Sequence, residues 1–135
     1  MRDEARAGRG AIWAARGGGI LLAVFLAAFS FDIFGEDYGF WEAILALFVH
    51  LIPAFVVLLV LWISWRRPGV GAAAFPLLGA AYFVGIHGWN GLPGALVLTL
   101  PPMLIGGLFL LGWRLATADR AARSDATGMG RRAGR

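Results

Sequence analysis

The sequence predicts an all-α fold, an integral membrane, up-and-down bundle of four transmembrane helices, and three observations predict it. The first is composition: 59% of the 135 residues are hydrophobic and another 20 are Gly, while Asp, Glu, Lys and Arg supply only 15%. Soluble domains carry about 25% charged residues, and so large an apolar excess cannot be enclosed in one core of this size, where surface remains large relative to volume. The second is pattern. Four apolar runs, residues 17–34, 40–65, 69–86 and 92–113, each reach the roughly 18 to 20 residues that span a bilayer core at 1.5 Å per residue. The third is charge: all twelve basic residues are Arg, and all fall on one side of the layout those runs impose.

Taken in order, residues 1–16 form a basic tail in which Arg alternates with Ala and Gly and in which Ile12 and Trp13 approach the membrane. Such a segment suits the interface with anionic lipid. The first span follows Arg16. An arginine before an apolar core, with Ala28, Phe29 and Ser30 as a small-x-small site, also fits a signal peptide, but the run continues through Phe31, Ile33 and Phe34, which favours a retained helix. Gly35 to Gly39 make a short turn into the second span, Arg66, Arg67 and Pro68 a corner into the third, and His87 to Gly91 a turn into the fourth. Connections this short force neighbouring helices to run antiparallel. Residues 114–135 form a second basic tail, and its Gly-, Ala- and Arg-rich end from Ser124 onward is expected to be disordered.

Orientation follows from the arginines. Four precede the first span, Arg66 and Arg67 join the second to the third, and six follow the fourth. The positive-inside tendency then places both termini in the cytoplasm of a multi-pass cell-membrane protein. Trp41, Trp65, Trp89 and Trp113 stand at span ends, where an indole belongs in the headgroup layer. A pI near 11.0 points to an anionic partner, and the placement of the arginines beside the spans assigns it to lipid rather than nucleic acid.

Ionisable residues within the spans are functional-site candidates by default, because an unpaired charge in hydrocarbon is costly. Asp32, Glu42 and His50 are the candidates. Asp32 and Glu42 lie near the first turn, within reach of water. His50 sits about 12 Å deeper by helical rise, on a face with Ala43, Ala46 and Ala54, and small residues of this kind mark the side that meets another helix. His50 is therefore expected to point into the bundle. Pro53 frees the carbonyl of Val49 one turn away. In the third span Gly69, Ala72, Ala73, Pro76, Gly79 and Ala80 form a small-residue packing seam. Pro101 and Pro102 in the fourth free the carbonyls of Val97 and Leu98, and a kink or local unwinding is expected there.

The chain lacks Cys altogether, and its two His residues have no carboxylate at metal-site spacing. No metal and no cofactor is implied. Neither a nucleophile triad nor a phosphate loop is present, so an enzyme is not expected.

The segments Ser30-Phe31-Asp32-Ile33-Phe34-Gly35, Tyr38-Gly39-Phe40-Trp41-Glu42 and His50-Leu51-Ile52-Pro53, followed by a tryptophan and Pro68, resemble a family of short four-helix prokaryotic membrane proteins whose domain has no known function. The resemblance covers about residues 17–113, leaves out both tails, and implies the four-span layout without an activity. Small multidrug exporters, as a family, carry a glutamate midway along the first helix, and quinone-linked thiol oxidases need cysteines; this chain has neither. Two functions follow from the sequence. The first is a membrane protein acting by helix association, as a homo-oligomer or as an accessory subunit of a membrane partner. The alternative is a small transporter or channel that uses Asp32, Glu42 and His50.

Overall fold

A computed structural model describes residues 2–29 and 39–133. Every element among these residues is a helix: α1 (Arg2–Phe29), α2 (Phe40–Arg66) and α3 (Pro68–Ala133). The last doubles back on itself. Gly69 lies against Trp113, Pro76 against Gly106, and Gly79 against Thr99 and Met103, an antiparallel register that no straight helix can make. α3 thus contributes two spans, a first arm Pro68–Gly85 and a second arm Ala95–Ala126, and among the described residues four helices are long and apolar enough to cross a membrane.

Local chemistry sets the ends. At the start of α2 the Gly39 carbonyl accepts the Ala43 N–H at 2.9 Å, and the Glu42 carboxylate reaches back to accept the Gly39 N–H at 3.2 Å. This is the glutamate half of a capping box. α2 stops at Arg67, whose φ of −132° and ψ of 82° leave the helical region because a proline follows. Pro68 then opens α3 at a position where a missing N–H costs nothing.

The core lies between α1, the lower part of α2 and both arms of α3. Phe75 and Phe109 stack at 5.7 Å between ring centroids and are fully buried, with Ala15, Leu22, Val57, Leu61 and Ile105 around them. Since lipid tails are as apolar as these side chains, packing rather than water exclusion holds such helices together. Glycine makes the closest approaches possible. A methyl group on Gly112 would lie 2.5 Å from Ile12 and 2.9 Å from the Gly8 carbonyl, and one on Gly106 would overlap the Pro76 ring.

Two boundaries differ from the sequence reading. The first 16 residues are no separate tail, for α1 runs unbroken from Arg2 and its Gly8 and Ile12 pack on Gly112 and Leu115. The C-terminal stretch expected to be disordered is helical as far as Ala133. Both segments are rich in Ala and Arg, which are strong helix formers, and each continues a helix already nucleated, so no new nucleus is required.

Candidate functional site

Of the three candidate polar residues, Asp32 lies outside the described residues, as do Glu36 and Asp37. Glu42 is exposed, and its carboxylate is engaged with the first turn of α2. His50 is exposed as well, and its Nδ1 lies 2.9 Å from the Ala46 carbonyl of its own helix.

The expectation that His50 is packed in the interior is therefore corrected. Its direction explains how the expectation arose. The buried residues of α2 are Ala54, Val57, Leu61 and Ser64, and with about 3.6 residues per turn position 50 falls in the middle of the stripe they define. His50 stands one turn beyond the last buried residue, where the packing has ended. Its carbonyl partner comes from Ala46, not from Val49 or a neighbouring helix. Pro53 is half-buried and α2 continues through it.

The seam in the third span divides. Gly69, Pro76 and Gly79 face the second arm, whereas Ala73 and Ala80 are exposed. Pro101 and Pro102 do not unwind the fourth span, which is helical on both sides of them. Pro102 is buried in the core, and Pro101 lines an apolar groove of about 510 Å³ with Gly18, Leu22, Phe25 and Leu104. Just ahead of them the buried Thr99 hydroxyl has no hydrogen-bond partner among the described residues, and neither has the Tyr82 hydroxyl.

Two features at the arginine end were not legible from composition. The Arg16 guanidinium donates to the Trp65 carbonyl at 3.0 Å and lies 5.1 Å from the Trp13 ring centroid and 4.8 Å from that of Trp65. The two indoles meet edge-on at 6.4 Å. A cation at the C-terminal turn of α2 opposes the negative end of that helix, and the ring faces attract it. Its buried Nε, which has no acceptor among the described residues, is compensated in this way by π density. The signal was the three-residue spacing of Trp13 and Arg16, which puts both on one face of α1.

The second feature is a cavity of about 450 Å³ between α1, the α2–α3 corner and the second arm, lined by Arg66, Arg67 and Arg120 together with Ile12, Gly69 and Trp113. A smaller one of about 140 Å³ adjoins it and adds Arg9 and Asp119. Asp119 is committed to Arg123 at 3.0 Å. The arginines are distant in sequence, and only the folded arrangement assembles them. Among the described residues no cluster of His and acidic side chains could hold a metal ion.

The family model for a domain of unknown function (DUF7670) covers residues 4–124. It reaches into both tails, beyond the 17–113 core that the sequence segments suggested, in keeping with a helix that begins at Arg2. No curated protein and no solved structure matches the chain.

Proposed function

We propose that this chain, which belongs to the DUF7670 family of unknown function, is a non-enzymatic integral membrane protein that works by helix association, as a homo-oligomer or an accessory subunit. It crosses the cell membrane four times with both termini in the cytoplasm, and its basic ends rest on anionic lipid. The one-sided arginines support that orientation.

One observation carries the association: the outward face of the first arm of α3. Ala73, Leu77, Ala80 and Val84 recur at four- and three-residue spacing on one side of that arm, and all four are exposed, Leu77 by 70% and Val84 by 80%. Alanines one heptad apart let a second helix approach closely, with the larger residues as knobs beside them. The transport alternative draws no comparable support, since the Glu42 and His50 side chains bond within α2 rather than to each other.

A photo-activatable residue placed at Leu77 or Val84 in native membranes tests the reading. Adducts to a second copy or to another protein are expected, with few from the same residue at Leu45, which is exposed on α2. Adducts to lipid alone at all three positions would overturn it.

A further inference from the structure

We infer that the arginine-lined cavity between α1, the α2–α3 corner and the second arm of α3 is a binding site for a phosphate-bearing anion. The inference holds whether or not the chains associate, because the exposed face of the first arm takes no part in it.

Arg66, Arg67 and Arg120 all line this space, and among the described residues no carboxylate does. Asp119, which lines the adjoining cavity, is held by Arg123. Unneutralised guanidinium groups gathered by folding repel one another, so an anion that enters relieves the repulsion as well as gaining hydrogen bonds. Guanidinium is suited to phosphate, whose oxygens it meets two at a time. The volume, about 450 Å³, lies within the roughly 300 to 1,000 Å³ of small-molecule sites. Trp113 and Ile12 form an apolar side to the same space.

Position favours the phosphodiester of an acidic phospholipid over a free phosphate compound. The cavity sits where the second span ends and the third begins, beside Trp113, and tryptophans at span ends belong to the headgroup layer. Basic pockets between spans on this side of a membrane are suited to lipid headgroups. Both sources share the phosphate chemistry, and the experiment separates them.

The purified full-length chain in neutral detergent is titrated with short-chain phosphatidylglycerol, short-chain phosphatidylcholine and inorganic phosphate, and bound ligand is counted by native mass spectrometry. Saturable binding of one phosphatidylglycerol is expected, with phosphatidylcholine at least about tenfold weaker. The combined variant Arg66→Gln, Arg67→Gln, Arg120→Gln is expected to lose roughly tenfold or more in affinity. The charge-matched control Arg2→Gln, Arg6→Gln, Arg114→Gln, spread over both ends of the chain, keeps it. Ala116 also lines the cavity, so Ala116→Trp fills the space while retaining every arginine and is expected to abolish binding, which separates a shaped site from general charge. Circular dichroism checks that each variant keeps its helix content, and Ala116→Trp provides an independent reading if the triple variant misfolds. Competition by inorganic phosphate at equal concentration would identify a free phosphate compound as the ligand and still support the site. Equal losses in the two triple variants, unsaturable binding, or full affinity in Ala116→Trp would overturn it.

Discussion

In the arginine half of α2, Ala54, Val57, Leu61 and Ser64 are all buried, whereas between Phe40 and Ile52 no residue of the same helix is. Hydrophobicity does not distinguish the halves, for Phe48, Val49 and Ile52 are as apolar as anything in the core and are exposed. The difference is steric. On the arginine side Gly106 and Gly112 let backbones close to contact, and Phe75 and Phe109 fill the space between. The contrast teaches that in lipid an apolar surface is not by itself a packing signal, and that small residues opposite large ones decide which part of a bundle is rigid.

That contrast can be broken at the packed end. Gly106→Leu drives a side chain into Pro76 and the first arm, and overpacking of this kind costs about 1 to 3 kcal/mol or more. Unfolding in mixed micelles of rising denaturing-detergent content should show the largest loss here. Phe109→Ala removes half of the buried stack. Phe→Ala costs about 3 to 5 kcal/mol in soluble cores; lipid supplies much of the transfer share, so about 2 kcal/mol is expected by the same measurement. A loss no greater than that of an exposed Leu104→Ala control would contradict a packed core.

Arg16→Lys tests the joint between α1 and α2. It keeps the charge but loses the planar stacking on Trp13 and Trp65, and about 1 kcal/mol is expected to go. Full rescue by lysine would show that charge alone matters there. At the open end His50→Ala removes only a bond to its own helix, and a change within about 0.5 kcal/mol is expected, as for surface positions generally. A loss as large as that of Phe109→Ala would mean that the open half is packed after all.

How much of this was legible in the sequence depends on the kind of signal. The spans were legible because apolar length is a one-dimensional property: α2 was expected at 40–65 and observed at Phe40–Arg66. The third was expected at 69–86 and runs Pro68–Gly85. The tails were misread because charge was taken as a boundary, although Arg is a good helix former and Gly8 has a partner only in the fold. His50 was read from the right register, but a helical wheel carries no information on where along its length the partner helices stop. The Arg66, Arg67 and Arg120 cavity and the burial of the Thr99 and Tyr82 hydroxyls depend on residues from different spans meeting, which no local pattern encodes.

The proposed topology puts the arginine end on the cytoplasmic side of a membrane that four helices cross. The chain has no cysteine, so single cysteines introduced as Arg67→Cys and Asn90→Cys can be labelled with a membrane-impermeant maleimide on intact cells. Labelling of Asn90→Cys at once, and of Arg67→Cys only after the membrane is opened, is the expected result. Equal labelling of both on intact cells, or the reverse order, would contradict it.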